Sequence, residues 1–345
     1  MYMISLNHTS PKIKVNYGLQ LLRMIMSFWV VLNHCYKTKN NLLYKIIFGH
    51  RFHVPTFIFI SFYFFYKNIS IKNIDKMKVR LEKLFLPYLI YPIFIWLLNY
   101  FLLIKSGEFR LKVYYKSLII QFLIGRGVHG ILWFHFNLIL LTILFYIIAF
   151  IFNEQYLFIL QILAIITYFL QYSKLNFKYF KKYNNNITFS VGYFVETYPL
   201  AVTGLTFSSL NLITTLQKYR FKSLFFSIIF IVMLFKYNIF TLINGFGKQG
   251  LMLNIGSLLF FIFFYLLPIE QVKIPIINYT IRYITNYTAG IYFLHIFIYK
   301  ILKNYITLIY KKTLLGCIII YITCYLICLI CYNKFKYSKL KYLFI

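Results

Sequence analysis

Acidic side chains are scarce: Asp and Glu number six in 345 residues, against 37 Lys and Arg. Charged residues of both signs make up only 12% of the chain, whereas soluble domains carry about a quarter. Long polar linkers are lacking as well. The widest gaps between apolar runs, 67–83 and 105–130, are too short to hold a domain of their own. No GxGxxG, P-loop, HExxH or GxSxG pattern occurs, so the chemistries tied to those motifs have no signature here. The five cysteines make no disulfide framework. Cys317, Cys324, Cys328 and Cys331 share the last apolar run and read as small thiols packed between helices. A cleavable leader is not expected either, because the first apolar run ends in HCYKTKN rather than in small residues.

Apolar surface is what the chain has in excess. Hydrophobic residues reach 61% and aromatics 22%, with a mean hydropathy of +0.73. The fold class this implies is an all-α integral membrane protein, a bundle of about ten transmembrane helices. Apolar runs bounded by charges or turn residues fall near 17–36, 52–66, 84–104, 131–152, 156–172, 187–207, 222–239, 250–267, 287–309 and 313–332. Residues 1–345 then form a single membrane domain with short tails at about 1–16 and 333–345. An even number of spans puts both termini on one side. Lysine and arginine divide about equally between the alternate loops, so charge alone leaves the orientation open. The net charge of +31 invites a nucleic-acid partner. We exclude it, because the basic residues sit in short loops at membrane edges, where anionic lipid headgroups meet them.

Inside the first run, YGLQLLRMIMSFWVVLNHCY, stand an arginine and a histidine, Arg23 and His34. Eleven steps at about 100° end only ~20° past three turns, so both point the same way along one helix face. A charge near the bilayer centre costs about 2.5–3.5 kcal/mol on insertion scales, so such residues face the protein interior. Glu196 is the acid placed deepest in an apolar run, and a Glu196–Arg23 ion pair is the expected way to compensate both charges. Further candidates are Arg51 and His53 at the mouth of the second run, Trp133 and His135 early in the fourth, and His295 in the ninth. Arg80 and Lys83 form a cationic turn entering the third run. Histidine is the side chain best suited to take a proton from a hydroxyl near neutral pH. A base at a membrane face with a cation lower in the same groove suits acyl transfer to an alcohol. Buried Arg, Glu and His are also the parts of a proton-coupled carrier for a glycan or an ion, the alternative class. No inverted repeat or matched pair of broken helices supports it. No metal site is expected.

Taken in order, these stretches resemble membrane acyltransferase family 3, multi-pass enzymes that acylate cell-surface glycans. Arg23…His34 matches the family's Arg-x10-His signature, and RFHVPTFIFISFYFFYKN resembles the second-span pattern. KVRLEKLFLPYLIYPIFIW resembles the basic patch and Pro-Tyr opening of the third span. ILWFHFNLIL looks like the Leu-Trp-Phe element, and YTAGIYFLH like the late element ending in histidine. Two positions depart: Phe62 stands where glycine usually follows Ser61, and Lys83 replaces a second arginine. The resemblance implies transfer of an acyl group, acetyl from cytosolic acetyl-CoA, to a hydroxyl of a surface or lipid-linked polysaccharide. Acetyl-CoA is then a donor substrate, with no bound cofactor. It further implies a cytoplasmic N-terminus in the cell membrane, His34 toward the outer face, and Arg80 and Lys83 toward the donor's phosphates.

Overall fold

The computed structural model describes residues 16–36, 52–70, 73–106, 111–125, 132–172, 186–243, 249–269, 275–303 and 305–344, and contains no strand among them. The chain is all-α. Its helices are α1 (Tyr17–Cys35), α2 (His53–Ser70), α3 (Ile74–Ser106), α4 (Leu111–Ile124), α5 (Trp133–Phe152), α6 (Tyr156–Tyr172) and α7 (Asn186–Ser209). There follow α8 (Leu212–Lys218), α9 (Arg220–Ile243), α10 (Gln249–Leu266), α11 (Pro275–Thr285), α12 (Thr288–Leu302), α13 (Thr307–Tyr310) and α14 (Leu314–Phe335). Short 3-10 turns lie at Asn153–Gln155 and Lys339–Leu343.

Trp133–Phe169, which holds α5 and most of α6, and Leu314–Phe335 are long and apolar enough to cross a membrane. The pair Val191–Ser209 and Leu212–Lys218, bent by 64°, makes a third if taken as one span. His53–Tyr66, Asn254–Leu266 and Thr288–Leu302 are apolar but shorter.

Helix α1 is the hub, packed against α2, α10, α11, α12 and α14. Asn16 starts it: its side-chain oxygen accepts from the Leu19 amide at 2.9 Å, satisfying a donor the first turn would leave open. The same side chain donates to the Tyr265 carbonyl at 3.1 Å, fixing the start of α1 to the end of α10. Leu22, Met26, Val30 and Val31 bury completely on α1. Burial of each is worth about 1.5–3 kcal/mol against water, whereas between helices in lipid the gain is close packing instead. Helices α2 and α7 pack closely, and Gly204 permits it. A Cβ there would sit 2.7 Å from the Phe59 carbonyl oxygen, so only glycine admits this approach.

Contacts between helices gather at two ends of the molecule. At one, Arg220 Nε donates to the Leu266 carbonyl at 2.5 Å, Asn16 meets Tyr265, and Lys339 meets Glu82. At the other, His34 lies beside His295 and Trp133 stacks on Tyr193.

Candidate functional site

The site forms where α1 lies along α12. Near the start of α12, Arg23 donates from Nη2 to Thr288 Oγ1 at 3.2 Å. Near its middle, the His34 and His295 rings stand 5.2 Å apart between centroids, tilted by 43°. Both contacts advance together along the two helices, so α1 and α12 run in the same direction here. Arg23 and His34 are separated by a rise of about 16 Å on one face, as the eleven-residue spacing predicts.

His295 is completely buried, and its Nδ1 lies 3.2 Å from the Ile291 carbonyl oxygen. A carbonyl only accepts, so Nδ1 carries a proton in this contact. Tyr292 extends the group: its ring lies 6.2 Å from both His135 and His295. His135 is buried, packs edge-on against Phe293 at 4.4 Å, and has an Nδ1 with no hydrogen-bond partner. Trp133 stacks on Tyr193 at 3.9 Å, joining the starts of α5 and α7. Four of the predicted residues, His34, His295, His135 and Trp133, thus gather at one end of the molecule, with Arg23 deeper on the same α1 face.

Glu196 occupies an exposed position on α7, and Arg23 takes a neutral hydroxyl rather than this carboxylate as its partner. His53, the first residue of α2, is buried at 3% exposure. Arg51 lies outside the described residues.

The Arg80–Lys83 turn divides. Arg80 points inward: Nε donates to Thr142 Oγ1 at 3.1 Å, Nη2 to Ser61 Oγ at 2.8 Å and Nη1 to the Ser61 carbonyl at 3.4 Å. Its guanidinium lies 4.2 Å from the Phe65 ring centre and 5.2 Å from that of Phe62. Phe62, in place of glycine, therefore fills the core against Phe145 and offers its ring face to this cation. Lys83 is exposed and faces the other way, its Nζ 5.4 Å from the Tyr342 ring centre. Beside it, the hydrogen bond from Lys339 holds the Glu82 carboxyl below its usual range. Among the described residues, no three His, Cys, Asp or Glu side chains converge as a metal site.

Thr288, Ser61, Thr142 and Tyr292 were not singled out for these roles from the sequence. Thr288 and Tyr292 do lie within the YTAGIYFLH stretch, and Ser61 within ISFY, so the motifs marked the places without the partners.

An arginine and two histidines thus lie along the contact of α1 with α12 in an all-α protein. The chain belongs to the acyltransferase 3 family, whose model, described as an acyltransferase domain, matches residues 16–333. No curated protein and no solved structure matches it.

Proposed function

We propose that the chain is a ten-span membrane O-acyltransferase that moves acetyl from cytosolic acetyl-CoA to a hydroxyl of a surface or lipid-linked polysaccharide. The observation that carries this reading is the meeting of the Arg-x10-His face of α1 with the histidine-bearing face of α12. One face thereby supplies a cation at one depth and paired imidazoles at another.

In this reading His34 is the general base. As the acceptor oxygen attacks the thioester carbonyl, its proton passes to the neutral His34 imidazole. The carbon–oxygen bond forms, the carbon–sulfur bond breaks, and the departing thiolate takes the proton back, so the enzyme ends as it began. His295, its Nδ1 proton held by the Ile291 carbonyl, packs beside His34 and orients it. Arg23, held by Thr288, supplies positive potential to the passage below, where a thioester oxygen or phosphate gains negative charge. His135 and Trp133 with Tyr193 wall the outer end. Lys83 meets the donor's phosphates, while Arg80 braces the turn that presents it.

The whole chain, 1–345, acts as one domain with both termini cytoplasmic and His34 toward the outer face of the cell membrane. The shorter helices fit a bundle in which each needs partners to satisfy its polar side chains. The test supplies labelled acetyl-CoA to membranes carrying the protein and follows alkali-labile label into glycan. Label in the glycan fraction is the expected result. No label, together with proton-dependent solute uptake, would replace the enzyme by a carrier.

A further inference from the structure

Helix α12 carries both groups that meet the α1 face, Thr288 for Arg23 and His295 for His34. Its 15 residues rise about 22 Å, less than the ~30 Å hydrocarbon core, so its own length does not fix its height along α1. Height matters there. A slide of one residue, about 1.5 Å, takes the 3.2 Å Arg23–Thr288 hydrogen bond to the edge of bonding range or past it. Contacts outside the α1–α12 pair have to hold the register.

The C-terminal tail, which lies beyond the family match at 16–333, supplies one such hold. Ser338 Oγ accepts from the Leu340 amide at 3.2 Å and starts the 3-10 turn Lys339–Leu343. After the turn, the Phe344 backbone lies on the first turn of α12. A Cβ on Gly290 would come within 2.8 Å of the Phe344 carbonyl oxygen and 2.5 Å of Cys328 Sγ on α14, so a side chain there pushes α12 and the tail apart. The Phe344 ring stacks on Phe335 at 6.2 Å, which seats the tail against the end of α14.

Tyr91 on α3 supplies the second hold. Buried to 5% exposure, it donates its hydroxyl to the Leu343 carbonyl at 2.7 Å. Its ring stacks on Phe293 of α12 at 4.4 Å, with the planes only 13° apart. One side chain thus grips the tail and α12 together. Phe293 in turn packs against His135 at 4.4 Å, and one turn further on Phe94 meets Phe297 at 5.1 Å. Gly290 and Phe293 both fall between Thr288 and His295, so the two holds act on the stretch that faces α1.

We infer that Tyr91 is a positioning residue for the α1–α12 site. The tail it anchors, seated on Gly290, sets α12 at the height where Thr288 meets Arg23 and His295 meets His34. Tyr91 acts only through Leu343 and Phe293, and its effect on rate rests on the acyl-transfer reading.

The test compares membranes carrying the full chain as wild type, Tyr91→Phe, Gly290→Ala and the two together. Initial rates of label transfer to glycan are followed across acetyl-CoA concentrations at matched expression. Tyr91→Phe keeps the ring on Phe293 but leaves the Leu343 carbonyl without its donor. It is expected to lower kcat about tenfold with the KM for acetyl-CoA within about twofold, since the reacting groups are present but misaligned. The double variant is expected to fall no further than the worse single, because both changes act through one tail. An unchanged kcat in Tyr91→Phe, or a rise in KM alone, overturns the positioning role, as do losses that multiply in the double variant. A second cycle needs no activity: detergent unfolding of Tyr91→Phe, Thr288→Val and their combination. The combined loss is expected to fall short of the sum, because once the register slips Thr288 has less of its bond to lose. Additive losses overturn the inference even where kcat falls. If wild type transfers no label, the acyl-transfer reading fails, and the unfolding cycle alone decides whether Tyr91 sets the register.

Discussion

At the residue scale, Arg23 is the side chain that most constrains this protein. A guanidinium in apolar surroundings must be hydrogen-bonded, and Thr288 takes that role across 265 positions of sequence. Replacing Thr288 by Val leaves that donor without its acceptor and is expected to cost about 1–3 kcal/mol in detergent unfolding, with Thr288→Ser close to wild type. Arg80 sets a parallel case. Arg80→Lys keeps the charge but loses the fork that engages Ser61 twice and Thr142 once, and is expected to cost about 2 kcal/mol by the same measurement. The common face of Arg23 and His34 was legible from helical period alone. Their partners were not: a hydroxyl carries no charge to advertise it, and reasoning from charge balance led to Glu196, which the fold leaves exposed. Likewise, Arg80 read as a surface cation because its sequence neighbours are charged. Only the packing of α3 on α5 and α2 turns it inward.

At the scale of elements, apolar runs located the helices closely. The first run, predicted at 17–36, is helical over Tyr17–Cys35, and the fifth, at 156–172, over Tyr156–Tyr172. Polar ends were missed. α3 begins at Ile74, ten residues before the apolar run at 84, because its first turns are amphipathic and Asn73 caps them by accepting from the Lys76 amide at 2.8 Å. It passes Pro87 and Pro92 unbroken, and α7 passes Pro199. The ninth run was read as one span over 287–309, yet α12 ends at Leu302 and a separate turn follows at Thr307–Tyr310. The tail at Lys339–Leu343 gave no periodic signal, being too short to repeat. The α2–α7 contact yields a prediction of its own. Gly204→Val sets a branched side chain against the Phe59 carbonyl and is expected to destabilise by about 1–3 kcal/mol in thermal unfolding.

For the whole molecule, the two linked ends matter most. The tail, the start of α3 and the start of α1 belong to one end, and the histidines and Trp133 to the other, an arrangement that, under the proposed acyl transfer, lets donor and acceptor be met from opposite sides. A cysteine at Ser338 is expected to react with an impermeant maleimide only from the cytoplasmic side, and labelling from the outer side would invert the proposed orientation. One of the tail's contacts, Lys339 with Glu82, is expected to weaken in acid. The folded Glu82 carboxyl is held below its ordinary value by Lys339, so this contact stabilises above that value and is lost as pH falls through the lowered one. Limited proteolysis at Lys339 and Lys341 is expected to quicken only in that acidic window.

The central claim is that His34 takes the acceptor's proton. The direct measurement compares the initial rate of label transfer from acetyl-CoA to glycan for wild type and His34→Ala, at matched expression and matched unfolding temperature. The variant is expected to fall by about 100-fold or more. Equal rates for the two would contradict it.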